Sequence, residues 1–517
     1  MQLKDLLSAG EVEEVQGNLD QFVTGLAYDS KRVQRGNIFF AVPGARVDGH
    51  EFVCEAVERG ASAVVVERKI QLPEGAAWVR VRNGRSAMGQ WAALFFGYPS
   101  RHMVLIGVTG TNGKTTVTYL VESIFAAAGL STGVIGTINY RYQDHAVAAP
   151  QTTPESIDLQ ALLAEMVAAG MQSVTMEVSS HALAMERVRG MEFDGALFTN
   201  LSRDHLDFHE DMEHYFSSKS RLFTDHLGSS PKKGKFAIIH GGDPRGIELM
   251  ERARRPGVEV ISYGQDSRWD IYPLEVDDSL NGLSGRIRIK DQELPFSSRL
   301  IGTANLENIL GAVGVGAALG FSPGVIAKGI TQLESVPGRL EKIENCLGFT
   351  VLVDYAHTPD ALERVLNTLR PLTPGSLITL FGCGGDRDRG KRPLMGEVAA
   401  RISDLVVLTS DNPRTEDPLG ILNDIEEGVR KTGMNKVQIS DLETPNPKLT
   451  TPTGYWVEPD RRVAIRCVLR IACAGDLVLI AGKGHENYQI RGTNRTRFDD
   501  REVTRGELGR IRGEFRV

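Results

Sequence analysis

Short apolar runs separated by longer helical stretches set the rhythm of this chain. Runs at 103–109, 173–178, 195–199, 236–240, 351–353, 377–381, 405–408 and 476–480 are too short for helices and favour strand-forming residues. Consecutive apolar positions predict strands buried on both faces, and their alternation with helices predicts an α/β protein with covered parallel sheets. Several runs end in polar or glycine-rich clusters, where open α/β sheets collect ligands. Residues 277–299 alternate instead and carry glycine turns, which predicts a β-hairpin excursion inside the middle of the chain. Two turn-rich breaks stand before strong strands, at 97–102 and at 335–339. The proline-rich stretch 444–453 reads as a loop or insertion, and no tandem repeat is visible.

Composition narrows the class. A chain of 517 residues exceeds one ordinary core, and at ~100–200 residues per domain it predicts about three. The net charge of -7, the pI near 6.0 and the lack of a long basic run point away from nucleic acid and anionic lipid, towards small-molecule chemistry. The first residues lack the basic start and apolar stretch of a signal peptide. The stretch nearest to a membrane span, 308–321, is short and studded with glycine, so a buried helix and no membrane insertion are expected. Cys54, Cys346, Cys383, Cys467 and Cys473 form no CxxC pair, which fits reduced thiols in the cytoplasm.

The sharpest local signal is Gly110-Thr111-Asn112-Gly113-Lys114-Thr115-Thr116, after a strand-like run and before a helical one. Glycines let backbone N–H groups close around phosphates, Lys114 supplies a point charge, and the Thr115 hydroxyl can hold Mg²⁺. The alternative is a tight strand-to-helix turn with an exposed lysine. The pattern departs from the common phosphate loop, whose first glycine would fall at Val108.

That departure resembles the variant loop of the Mur ligase family, and further motifs follow in the family's order. They include Glu177-Val-Ser-Ser-His181, the run from Thr199 to Asp207, Lys219, Asn305-Leu-Glu-Asn308, Pro337-Gly-Arg-Leu-Glu341, Asp354-Tyr-Ala-His-Thr-Pro359, Gly382-Cys-Gly-Gly-Asp-Arg387 and Gly482-Lys-Gly-His-Glu486. Matches run from Asp29-Ser30 to Phe498-Asp-Asp-Arg501, covering nearly the whole chain. The resemblance implies three α/β domains: a UDP-sugar-binding one over 1–101, a central phosphate-loop ATPase over 102–337, and a Rossmann-like amino-acid-binding one over 338–517. It implies amide ligation through an acyl phosphate, with ATP and Mg²⁺, by a cytoplasmic monomer.

Residue by residue, the resemblance gives Lys114, Glu177, His205 and Lys219 the catalytic and metal roles, with Thr115 also on Mg²⁺ and Lys219 expected as N6-carboxylysine. Read locally, His205 would be a structural histidine and Lys219 a solvated lysine on a helix surface, with nothing nearby to depress its pKa. Asn305, Arg339, Asp354 and His357 resemble nucleotide-holding positions, although Asn305 could cap a helix, Arg339 could pair with a carboxylate, and Asp354 and His357 could simply end a strand. Ser30, Gln151, Thr152, Thr153, Ser179, Met185 and Arg187 match positions that hold a UDP-N-acetylmuramoyl dipeptide. Met185 stands where a relative can have glutamine, so one hydrogen bond is put in doubt.

Asp411-Asn412-Pro413-Arg414 resembles the family members that add meso-diaminopimelate, with Arg387 on a carboxylate, Glu486 on an ammonium group and Gly482 beside them. The physical logic agrees, because meso-diaminopimelate differs from lysine by a distal carboxylate and a planar guanidinium suits that group. The plain alternative for Arg414 is a surface salt bridge. Folate-polyglutamate synthetases share the ligase chemistry and a similar loop, but give no reason for residues 411–414; a scaffold that has lost catalysis gives none for Lys114, Glu177, His205 and Lys219 together.

Overall fold

A computed structural model describes residues 1–44, 47–69, 77–206, 208–440, 448–449 and 453–514. Most of the proline-rich stretch 444–453 lies outside the described residues, as does Asp207. The chain divides into two compact units: the first holds 1–273, 288–293 and 309–329, the second 274–287, 294–308 and 330–517.

Within the first unit, a five-stranded sheet runs in the order Val12–Gln16, Ala77–Val81, Ala63–Val66, Asn37–Phe40, Gly25–Ala27. All neighbours are parallel except the first pair. Helix Gly84–Phe95 starts at Asn83, whose side chain accepts from Ser86 N, and it buries Trp91 edge-on against Phe40. Such an Asn cap satisfies an otherwise orphaned N–H.

The unit's second sheet places Val104–Thr109 centrally, with Ser173–Glu177 and then Thr132–Ile135 on one side. Gly195–Phe198, Lys235–His240 and Val258–Tyr263 follow on the other, all parallel. Strand order therefore reverses at the carboxyl end of Val104–Thr109, which is where open α/β sheets bind ligands. These strands are buried almost throughout, as continuous apolar runs require. The alternating segment holds three strands rather than one hairpin: Ile271–Ser279, Gly282–Ile289 and Gln292–Ser298. The first begins at Ile271, ahead of the stretch read as alternating, and Pro273 interrupts the pattern there. The glycine-studded stretch lies in helix Thr303–Ala318, with Ile309, Leu310 and Val313 buried. Among the described residues no helix is long and apolar enough to cross a membrane.

The second unit is built on a sheet ordered Glu341–Lys342, Thr350–Asp354, Leu477–Ala481, Leu377–Phe381, Leu405–Leu408, Gly454–Val457, parallel beyond its first pair. Because the inner strands run the same way, the loops that follow them share one edge. Helices Arg461–Ile471 and Asp500–Glu514 are joined by a fully buried bidentate pair, Arg461 to Asp500, at 2.7 and 2.8 Å. Arg461 also donates to the Ala481 carbonyl at 2.8 Å, so the pair anchors the start of the loop after that strand.

Candidate active site

The phosphate loop follows the central strand and opens helix Lys114–Ala127, with Thr115 and Thr116 buried in its first turn. Gly110 has φ +144°, and a Cβ there would stand 1.9 Å from Thr199 Oγ1, so no other residue fits. The loop is braced from the strand beside it. Asn112 N donates to Asn200 Oδ1 at 2.9 Å, Thr199 Oγ1 donates to the Asn112 carbonyl at 2.6 Å, and Thr111 Oγ1 donates to the Ser202 carbonyl at 3.2 Å. Lys114 Nζ donates to the Gly110 and Thr111 carbonyls at 3.0 and 2.9 Å.

Glu177 ends strand Ser173–Glu177 with its carboxylate buried beside this loop. Its Oε1 accepts from Thr115 Oγ1 and Thr137 N, both at 2.9 Å, and its Oε2 from Thr137 Oγ1 at 2.9 Å. Thr137 was not foreseen; it arrives from the loop after the neighbouring strand, a pairing that local sequence does not announce.

Lys219 overturns the surface alternative. Helix Met212–Arg221 is capped by Asp211, whose carboxylate accepts from His214 N at 2.8 Å, and it buries Tyr215, Phe216, Lys219 and Ser220 along one face. Lys219 is 1% exposed, donates to the Gly110 carbonyl at 2.8 Å, and lies 4.5 Å from the centre of the Tyr215 ring. Burial, reinforced by the nearby Lys114 charge, holds its ammonium well below the usual lysine range, with Asp204 opposing weakly. The signal was present in the spacing: Lys219 falls one turn after Tyr215 on an apolar stripe.

His205 is the outlier. It sits at φ +54°, its side chain is 44% exposed, and its ring lies edge-on to His181 at 4.8 Å. Among the described residues no group of three or more His, Cys, Asp or Glu side chains gathers as a metal site. The oxygen donors Thr115 and Glu177 do suit Mg²⁺, which prefers hard oxygen ligands.

Of the candidate acceptor residues, Thr152 and Thr153 lie beside Thr137 and Glu177. Thr153 Oγ1 donates to the Glu177 carbonyl at 2.9 Å and accepts from Ser179 N at 3.1 Å, while Ser179 Oγ caps helix Ser180–Ala184. Thr152 Oγ1 meets Thr137 Oγ1 at 3.1 Å, and the Gln151 carbonyl accepts from Tyr140 OH. Arg187 donates to the Thr153 carbonyl at 3.1 Å, pairs with Glu155 at 2.9 Å, and touches the Met185 sulfur at 3.7 Å. Glu155 also pairs with Arg85 at 3.2 Å. Ser30, from the first sheet's edge, is buried and donates to Glu55 at 2.8 Å.

In the second unit, Asn305 belongs to helix Thr303–Ala318, donating to the Ile301 carbonyl at 2.9 Å and accepting from Asn308 at 3.1 Å. Asp354 ends strand Thr350–Asp354 and accepts from Leu340 N and Ala356 N, both at 2.8 Å. Burial pushes its carboxyl above the usual range, against the Arg339 guanidinium. Arg339 lies 4.7 Å from the centre of the Tyr355 ring, and His357 Nδ1 is 2.8 Å from the Tyr355 carbonyl. Gly338 packs so tightly that a Cβ would stand 2.1 Å from His485 N.

The three remaining loops converge at the carboxyl edge of this sheet. Asn412 Nδ2 donates to Glu486 Oε2 at 2.9 Å, and Asn412 Oδ1 accepts from Ile490 N at 3.0 Å. The Asn412 carbonyl accepts from Gly385 N at 2.9 Å, and Gly482 N donates to the Asp354 carbonyl at 3.1 Å. Pro413 is buried. Arg414, at φ +52°, donates to the Gly385 carbonyl at 2.7 Å and forms no salt bridge with a described carboxylate. The surface-pair alternative therefore does not hold. Arg387 is exposed and reaches the Asp386 carbonyl at 3.5 Å. Lys483, inside a quoted motif yet given no role from sequence, is wholly buried among Asp411, Asn412 and Glu486.

The chain is similar to known proteins over its whole length. Family profiles for the Mur ligase family catalytic domain, the Mur ligase middle domain and the Mur ligase glutamate ligase domain match residues 22–96, 108–316 and 338–484. The UDP-N-acetylmuramoyl-L-alanyl-D-glutamate--2,6-diaminopimelate ligases of Geobacter metallireducens and Geobacter sulfurreducens are 49% and 48% identical to the chain, over 97% of each protein. A solved structure of a ligase of that name superposes over 100% of both chains, with TM-score 0.71 and 32% identity. With the variant phosphate loop, the flanking sheets and this full-length similarity together, the chain belongs to the Mur ligase family.

Proposed function

We propose that this chain is a cytoplasmic ATP-dependent ligase that adds meso-diaminopimelate to the D-glutamate of UDP-N-acetylmuramoyl-L-alanyl-D-glutamate, in peptidoglycan precursor synthesis. The observation that carries the choice of amino acid is Arg414: its guanidinium is fixed by one backbone carbonyl and carries no carboxylate among the described residues. A planar fork so held rewards a ligand carboxylate and penalises a ligand that lacks one. Domain boundaries are placed near 101/102 and 337/338, with the acceptor held by the first domain and the Gln151–Arg187 region.

A carboxylate does not condense with an amine unaided. The D-glutamate carboxylate oxygen attacks the γ-phosphorus of ATP, ADP leaves, and the amine then attacks the acyl phosphate and expels inorganic phosphate. Such phosphoryl transfer needs positioning and charge neutralisation more than a protein nucleophile. The Gly110–Thr116 backbone and Lys114 cradle the phosphates, while Asn305, Arg339, Asp354 and His357 hold the rest of the nucleotide. Thr115 and Glu177 would hold Mg²⁺, which supplies charge neutralisation when bound. His205, being exposed, is the weaker ligand candidate.

The buried amine of Lys219 supports the carbamate reading. A lysine must be unprotonated to attack CO₂, forming an N–C bond and releasing a proton, and burial favours that form. The resulting carboxylate would stand beside Gly110 and bind a second Mg²⁺ or orient phosphate.

The function is tested by supplying purified protein with ATP, Mg²⁺ and the UDP-dipeptide acceptor. Phosphate release should be far faster with meso-diaminopimelate than with L-lysine; the reverse preference overturns the assignment.

A further inference from the structure

Lys483 has no role in the chemistry so far. It lies in the loop after strand Leu477–Ala481 with its side chain completely buried, although lysine is rarely buried without partners. Its Nζ reaches Glu486 Oε2 at 3.2 Å, Asn412 Oδ1 at 3.3 Å and Asp411 Oδ1 at 3.4 Å, beside the Tyr488 ring. An ammonium has three donors, so these three acceptors use its hydrogen-bonding capacity and leave nothing for a substrate.

Glu486 is its complement. Oε2 receives both Lys483 and Asn412 Nδ2, whereas no described group donates to Oε1. One oxygen is anchored and the other is presented. Lys483 thus holds Glu486 and Asp411 on one side of the pocket, and the buried cation Arg461 is matched by Asp500. A carboxylate oxygen left without a donor suits an ammonium group.

We propose that Lys483 is a positioning residue for the amino-acid substrate: it locks Glu486 and Asn412 together so that the presented Glu486 oxygen receives the substrate's ammonium group. This rests on the reading of residues 411–414 and 486 as the amino-acid pocket. Lys483 thereby governs amino-acid affinity through Glu486 without touching the substrate.

The test is a double-mutant cycle on the full chain, with Lys483→Met, Glu486→Gln and the pair, read by steady-state kinetics. The wild type is first assayed with meso-diaminopimelate and L-lysine; a preference for lysine overturns the proposed specificity, and the cycle then proceeds with lysine. Lys483→Met should raise the amino-acid KM by about 10-fold or more, the scale of a lost charged contact, while KM for ATP and acceptor stays within about 3-fold. In the Glu486→Gln background it should add less than about 3-fold, and Lys483→Arg should restore part of the affinity. An unchanged amino-acid KM, or the same rise in both backgrounds, overturns the proposal. Should Lys483→Met fail to fold, Lys483→Gln, which also removes the charge, is read in the two backgrounds against the same outcomes.

Discussion

Lys219 and Lys483 are both buried lysines beside glycine-rich loops, yet their surroundings give them opposite work. Lys219 meets a backbone carbonyl and an aromatic ring, and burial with a neighbouring cation disfavours its charge. Lys483 meets two carboxylates and an amide oxygen. Burial penalises any ammonium; what surrounds it decides whether the side chain becomes a reactive amine or a structural counter-charge. The first suits chemistry on CO₂, the second suits holding a pocket in shape.

The contrast can be broken from either side. Lys219→Ala should lower turnover by about 10³-fold, the scale of losing a preorganised charged group, and short carboxylic acids or bicarbonate should restore part of it. Full activity in that variant would remove the carbamate from the mechanism. Lys483→Met should destabilise the fold by about 3 kcal/mol, because the buried Asp411 and half-buried Glu486 carboxylates lose their counter-charge; chemical denaturation measures this, and an unchanged midpoint would refute the pairing. Arg414→Met should raise the KM for meso-diaminopimelate by about 10–100-fold while changing that for ATP little, as initial-rate assays would reveal.

The smallest effect has the opposite sign. The folded-state pKa of Lys219 lies below its unfolded value, so the unfolded chain binds that proton more readily and native stability at neutral pH is reduced. Lys219→Met removes this penalty and should raise Tm by about 2 °C in CO₂-depleted buffer. The gain should be fully present below the depressed folded value and shrink as pH rises towards 10.5. Calorimetry across pH would show it, and a loss of stability would contradict the burial argument.

Much of this was legible in the sequence where one contiguous segment carries both the shape and the chemistry. The phosphate loop is such a segment: strand, glycine turn, lysine and helix start follow one another from Val104 to Ala127. The proposed amino-acid pocket is not. Its parts are separated by some 70 residues between Asn412 and Glu486, and only the parallel order of the sheet brings them within 2.9 Å. Motif resemblance named those residues, but not what they do to each other. Thr137, Asn200, Ser202 and Lys483 gained roles only when their partners became visible, because each meets a group far away in the chain, Lys483 through Asp411 and Asn412. Asn305 shows the converse: its side chain bonds only to near neighbours, the Ile301 carbonyl just before its helix and Asn308 within it.

The tight seat of Gly338 on residues 484–485 links two tasks assigned to one unit. Arg339 follows Gly338 directly, and Glu486 follows His485 directly, so a bare backbone contact stands where compressible side chains usually cushion neighbouring loops. With nucleotide on Arg339 and the amino acid on Glu486, as proposed, the two ligands would be joined through this one backbone contact. Any coupling carried by it would be reciprocal: whatever nucleotide did to amino-acid affinity, the amino acid would have to return in equal measure.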